Sequence, residues 1–383
     1  MVTRLTPETR EEPASTLIPI ARPQLGLEEE AAVIEVMRSG ALAQGERVYA
    51  FEREFARRVG ARFGVATCNG TAALFLALKG HGIGTGDEVI TSPLTFIATA
   101  NAISHTGATP VFADIDETLN LDPKAVADLI GPRTRAIVPV HLHGNPADMH
   151  RFAALAETHG LALVQDACQA VGATISGEPL GTFGTAVYSL YATKNITTGE
   201  GGMIVTNEPE VARSCSSMRH QAYSDEPYVH DAIGHNFRMT EMEAAIGLVQ
   251  LRKLDTFTEQ RRMNAAYYDR YIAPFYERPR VAPANRHVYH QYTLRIPSGD
   301  GPSRDDVRAM LERKGVATGV YYPRPLHLQP PYLELANRPC PNAERAAADM
   351  FSIPVHPAVS EDDLSRVAVE LNRIASPSLN IAR

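Results

Sequence analysis

An α/β fold is predicted for the larger, N-terminal part of this 383-residue chain, followed by a smaller α+β part. Two observations predict it. From residue 63 onward, short apolar runs alternate with helix-like patterns, the rhythm of βαβ units and a mainly parallel sheet with helices on both faces. Those runs are apolar almost throughout, as expected of strands covered on both sides.

Taken in order, residues 1–17 (MVTRLTPETREEPASTL) are polar and without period, and are expected to form a disordered tail. A helix is expected over 27–38 (LEEEAAVIEVMR), ended by Ser39-Gly40. The strand runs FGVATC, DEVITS, TPVFADI, RAIVPVHL and LALVQDA are separated by the helical patterns TAALFLALKG, FIATANAISHTG and PADMHRFAALAETHG. Two neighbouring strands follow, AVYSLYA and GGMIVTN. A long helix near 239–272 comes next, with Thr240 as N-cap and Glu243 completing a capping box. Beyond it, HQYTLRIP and ATGVYY read as strands, and SRDDVRAMLERKG, NAERAAADM and EDDLSRVAVELNRIA as helices. The expected division is a tail at 1–17, a large α/β domain at 18–250 and a small α+β domain at 251–383, joined through the long helix.

A net charge of −7 without a basic block argues against nucleic acid or an anionic membrane as the main partner. No apolar run reaches membrane-spanning length, and the N-terminus lacks the apolar core of a signal peptide. Cys68, Cys168, Cys215 and Cys340 are scattered without CxxC spacing, so neither a zinc site nor a disulfide framework is expected. The expected location is a reducing cytoplasm.

Ligands of open parallel sheets sit beyond the carboxyl ends of the strands. Three features fall at such ends. CNGTAAL (68–74) would place the amides of Gly70, Thr71 and Ala72 at a helix N-terminus, a natural phosphate cradle, although any strand-to-helix turn favours these residues. Asp166 ends the run LALVQDA, either as an N-cap or as a counter-charge for a protonated ring nitrogen. Lys194 lies in SLYATKNITTGEGG, either on a solvated loop or desolvated beside a cofactor. Lysine, carboxylate and helix N-terminus are the protein parts a pyridoxal phosphate (PLP) enzyme needs. Competing motifs are missing: there is no GxxxxGK[ST], and no GxGxxG opens a helix after the first strand. The glycines of TTGEGG fit a turn with close backbone approach. His141 and His143 in HLHG have metal-like spacing but no carboxylate or cysteine companions, which favours strand-end histidines in a pocket or core.

The chain resembles the sugar aminotransferases of the DegT/DnrJ/EryC1/StrS family, fold-type I PLP enzymes, from about residue 18 to about 375. The resemblance rests on SGALAQGERVYAFEREFA, CNGTAALFLAL, GDEVITSPLTFIATANAI, PVHLHGNPADM, QDACQAVGA, SLYATKNITTGEGG, GHNFRMTEMEAAIGLVQL and YYPRPLHLQPPY. It implies a mainly parallel seven-stranded sheet with a smaller C-terminal domain. It also implies that Lys194 holds PLP as a Schiff base and shuttles the proton, that Asp166 pairs with the pyridine nitrogen, and that Gln169 contacts the phenolic oxygen. Phe96 would stack on the ring. Thr71, Ala72 and Ser189 would bind the phosphate, joined by Asn236 from a second subunit, which makes the active unit a homodimer with shared sites. L-Glutamate would donate the amine, leaving pyridoxamine phosphate (PMP), and a nucleotide-linked keto sugar would take it in a ping-pong cycle.

KNITTGEGG resembles enzymes that aminate C4 of NDP-4-keto-6-deoxyhexoses, whereas C3 enzymes more often read like PTKNLGALGDGG. Tyr191 stands where many C4 enzymes have His, so a C3 aminotransferase stays open, as does a cyclitol aminotransferase. A non-catalytic relative acting as a sensor would be expected to lack the lysine. Tyr321 and His327 of YYPRPLHLQ are expected either at the sugar-nucleotide entrance or as part of a loop covering the core.

Overall fold

The apolar runs pair into one sheet. This computed structural model describes residues 17–375 apart from 225, 227, 297–300, 336 and 337. The tail expected at 1–17 lies outside the described residues except for Leu17. The strands are β1 (Phe63–Thr67), β2 (Glu88–Thr91), β3 (Thr109–Phe112), β4 (Thr134–Val138), β5 (Ala162–Asp166), β6 (Thr185–Ser189) and β7 (Gly202–Thr206). They lie in the order β1-β7-β6-β5-β4-β2-β3. Neighbours from β3 to β6 run parallel, and β7 pairs antiparallel with both β6 and β1. The carboxyl ends of β1, β5 and β6 therefore open on the same edge of the sheet.

Eight helices accompany these strands: α1 (Leu27–Ser39), α2 (Glu46–Arg58), α3 (Gly70–Gly80), α4 (Ala98–His105), α5 (Pro123–Ala127), α6 (Met149–His159), α7 (Pro209–Arg219) and α8 (Glu241–Tyr271). Alternation along the strands serves both faces of the sheet. Ala186, Tyr188, Met203 and Val205 pack against Phe51 and Phe55 of α2, Phe152 of α6 and Leu254 of α8. Val187 and Ile204 point the other way, onto Leu74 and Leu78 of α3, Ile103 of α4 and Val211 of α7. Each such side chain contributes roughly 1.5–3 kcal/mol on burial. That is why these strands carry no polar alternation.

The long helix begins where its capping box places it, with both Thr240–Glu243 bonds formed. Its first half gives Leu251 and Leu254 to the sheet's core, and its second half gives Ala265 and Tyr268 to another cluster. That second cluster is built on β8 (Tyr292–Arg295), α9 (Arg304–Arg313), β9 (Met350–Ile353) and α11 (Glu361–Ala375), while α10 (Pro341–Asp349) leads into β9. Two features differ from expectation. Ile18 pairs with Val316 and is buried in the C-terminal cluster, although sequence reading grouped residue 18 with the large domain. ATGVYY is not a strand: it touches β9 only at the Gly319–Ser352 bridge, then turns toward the sheet's carboxyl edge.

Candidate active site

The segments leaving β1, β5 and β6 converge on a cavity of about 900 Å³. Thr71, Ala72, Phe96, Asp166, Gln169, Ser189 and Lys194 all line it.

The helix N-terminus comes first. Asn69 caps α3, its Oδ1 accepting the Ala72 amide at 2.8 Å. The amide expected from Ala72 is therefore already engaged. The amides of Gly70 and Thr71 have no partner among the described residues, and these two are the free donors. Two glycines let the helix end press against its surroundings. A Cβ on Gly202 would meet the Asn69 carbonyl oxygen at 2.3 Å, and one on Gly70 would lie 3.0 Å from the Ser189 Cβ and 3.2 Å from the Cys168 Sγ.

Asp166 is buried at the end of β5. No helix follows it, so it is not an N-cap. Its Oδ1 accepts the Cys168 amide at 3.1 Å and its Oδ2 accepts the Thr99 hydroxyl at 2.7 Å. Gln169 has a fixed amide orientation. Its Oε1 accepts the His143 backbone amide at 2.7 Å, which leaves Nε2 to donate toward Tyr322 Oη at 3.3 Å and into the cavity.

The HLHG histidines are structural. The His141 Nδ1 accepts the Ala147 amide at 3.0 Å, so its Nε2 donates to Gln165 Oε1 at 3.0 Å. His143 Nε2 donates to the Tyr321 carbonyl at 3.0 Å and Nδ1 accepts from Thr293 at 3.1 Å. Burial lowers each imidazole to about 4, so both rings are neutral.

Lys194 is half-buried on the loop between β6 and β7. Burial lowers its ammonium below the ordinary value, against the opposing pull of the Asp166 carboxylate. Cys168 itself stays a thiol, since burial first and Asp166 second push it well above its usual range. The loop is clamped next to the lysine: Asn195 Nδ2 donates to the Val288 carbonyl at 3.0 Å and its Oδ1 meets His290 Nδ1 at 3.3 Å. Phe96 leaves 55% of its surface exposed on the cavity wall, its ring 5.8 Å from that of Tyr322. Tyr191, 47% exposed, and Glu200 also line the cavity.

Two expected residues, Tyr321 and His327, stand elsewhere. Tyr321 directs its carbonyl to His143, and it is the adjacent Tyr322 that faces the cavity. His327 is buried away from it, bonded to Glu344 at 3.1 Å and lining a different cavity with Phe112, so it does not stand at the Lys194 cavity. Asn236 lies between two cavity-lining residues, His235 and Phe237, without lining this cavity itself, and its backbone bridges to His220. Sequence reading missed Tyr322, Thr99 and His143 as neighbours of the expected groups.

A model of the DegT/DnrJ/EryC1/StrS aminotransferase family matches residues 23–372. The chain belongs to this family. It is similar to the pleiotropic regulatory protein of Geobacillus stearothermophilus, 42% identical over 88% of this chain and 91% of that protein. It is 39% identical to the GDP-perosamine synthase of Caulobacter vibrioides, over 93% of this chain and 98% of that one. Among solved structures, S. venezuelae DesV in complex with a ketimine intermediate superimposes with a TM-score of 0.86 at 38% identity, covering 91% of this chain and 94% of that chain. The protein is a PLP-dependent aminotransferase of a sugar aminotransferase family, whose solved relatives include forms with bound PMP. The cavity fits that cofactor. It offers two unpartnered amides, a cradle that a Cβ at Gly70 would fill, an exposed aromatic face and a carboxylate beside a lysine of lowered basicity.

Proposed function

We propose that this aminotransferase moves the amino group of L-glutamate to a nucleotide-linked keto-deoxysugar, at C4 of an NDP-4-keto-6-deoxyhexose, in a ping-pong cycle. The observation that carries the reading is the single cavity that gathers Lys194, Asp166, Gln169 and Phe96 around the α3 N-terminus. Its volume of about 900 Å³ lies near the top of the usual range of about 300–1,000 Å³ for ligand sites, which leaves room for a sugar beside the cofactor.

When bound, PLP supplies an electron sink for the carbanion left when the carbon bearing the amine loses a proton. The chain's own groups do the rest. Lys194 Nζ is the covalent anchor, and burial makes it a neutral amine at lower pH than an exposed lysine. Released from that role, the same Nζ takes the proton as base and returns it as acid. Asp166 would pair with the ring nitrogen. Gln169 Nε2, aimed by the His143 amide, donates to the ring oxygen. Phe96 covers a ring face and excludes water. The Gly70 and Thr71 amides, with the Thr71 and Ser189 hydroxyls, hold the phosphate at a helix N-terminus, where the dipole favours an anion. Asn236 reaches the same phosphate from a second copy, so the active unit is a homodimer.

The motif KNITTGEGG supports C4, and the similarity to a GDP-perosamine synthase supports a nucleotide-linked sugar. Tyr191 on the cavity wall favours the second reading, amination at C3. The test is an absorbance spectrum of the protein with added PLP, before and after glutamate, followed by NDP-4-keto and NDP-3-keto sugars with the product identified by mass spectrometry and NMR. A visible band that fades with glutamate and a 4-amino product support the proposal. A band indifferent to glutamate removes the donor, and a 3-amino product moves the reaction to C3.

A further inference from the structure

We propose that Thr99, backed by Thr95, is a positioning residue for this reaction: the two hydroxyls fix the carboxylate of Asp166 in one orientation. The inference rests on Asp166 as the partner of the cofactor's ring nitrogen.

The direction of each proton follows from chemistry. An ionised carboxylate only accepts, so Thr99 donates its hydroxyl proton to Asp166 Oδ2 at 2.7 Å. Thr99 has no second proton, so in the 3.0 Å contact between the two hydroxyls Thr95 is the donor. Oδ1 is held by the Cys168 amide at 3.1 Å, and the carboxylate is pinned at both ends. Thr95 and Thr99 are 2% and 1% exposed, so no solvent molecule replaces a lost hydroxyl without rearrangement. Phe96 lies between them in the chain. The stretch that offers a face to the ring therefore also aims the charge at its edge. Without Thr99, Oδ2 loses its donor and the carboxylate turns more freely away from the ring's edge.

The experiment compares Thr99→Val, Thr99→Ser, Thr95→Val and Asp166→Asn as full-length proteins. PLP affinity is read by absorbance titration, along with the position of the visible band and the melting point without cofactor. Thr99→Val is expected to weaken PLP about tenfold, the loss of one hydrogen bond to a charged group. It is also expected to move the band to shorter wavelength, as the ring nitrogen gives up its proton. Thr99→Ser restores both, and Thr95→Val gives a smaller shift of the same sign. A purely packing role would lower the melting point and leave the band in place. Asp166→Asn impaired while Thr99→Val keeps wild-type affinity and band overturns the hydroxyl pair alone. Asp166→Asn with unchanged affinity and band overturns the reading of Asp166 and the proposal with it. Should Thr99→Val fail to fold, the Thr95→Val band decides: shifted supports the proposal, unshifted overturns it.

Discussion

Replacing Gly70 by alanine should separate cofactor binding from folding. The added Cβ would stand 3.0 Å from the Ser189 Cβ, 3.2 Å from the Cys168 Sγ and 3.4 Å from the Ser189 Oγ. These contacts are tight but not impossible, so α3 and the β6 loop must part by a few tenths of an ångström. Overpacking of this kind costs about 1–3 kcal/mol. Against it stands a gain of about 0.4–1 kcal/mol from a less flexible unfolded chain. The cofactor-free protein should therefore lose no more than about 2.6 kcal/mol, the difference between those two ranges at its extreme. PLP should suffer more clearly. The methyl group lies between the amides of the helix N-terminus and the Ser189 hydroxyl, the two sides of the phosphate cradle. One disturbed hydrogen bond to a charged group is worth about 1.5–3 kcal/mol, so PLP should bind at least about tenfold more weakly. Absorbance titration gives the affinity, and thermal melts without PLP give the stability. A folded Gly70→Ala protein with wild-type PLP affinity would refute the placement of the phosphate at this helix end.

Lys194→Ala should abolish turnover while the protein still folds; near wild-type rates in the variant would sink the proposed mechanism. Asn236→Ala should weaken PLP retention without changing the oligomeric state seen by size-exclusion chromatography, by a factor matching one hydrogen bond of about 1.5–3 kcal/mol; unchanged affinity would remove Asn236 from the site. Acid should destabilise the fold in a defined window. His141, His143 and His356 are held neutral by burial down to about 4, while unfolded histidines take up protons from about 6.5. Between those values the unfolded state binds more protons, so stability present above pH 6.5 is lost as pH falls toward 4. A melting point that stays flat across that interval would contradict the burial of these rings.

Lys194 and Asp166 were legible because each follows a mainly apolar strand run, Asp166 at the end of β5 and Lys194 just beyond β6, and a charge in that position demands a reason. The covered sheet was legible for the same cause: continuous runs at β4 to β7 admit few other structures. Other features depended on geometry that spacing does not carry. Tyr321 and Tyr322 are neighbours, and only the path of the chain after the Gly319 bridge decides which faces the cavity. His327 turns inward to Glu344, a partner brought by α10. Thr99 meets Asp166 across 67 residues, where α4 comes against the carboxyl end of β5, rather than through any local pattern. The engagement of the Ala72 amide could have been read, since Asn69 stands where an N-cap reaches its third helical residue.

The pairing of Ile18 with Val316 constrains how the chain is made. During synthesis the segment around Ile18 emerges before the sheet, yet its partner arrives only after the whole sheet and α8 have been translated. Through most of that interval this stretch of backbone has no place to dock, and a truncated product ending before residue 316 never gives it one. Because α8 is shared by both clusters, cutting the gene at residue 250 would also strip Leu251 and Leu254 from the sheet's own interior. Neither half is a self-sufficient unit for expression.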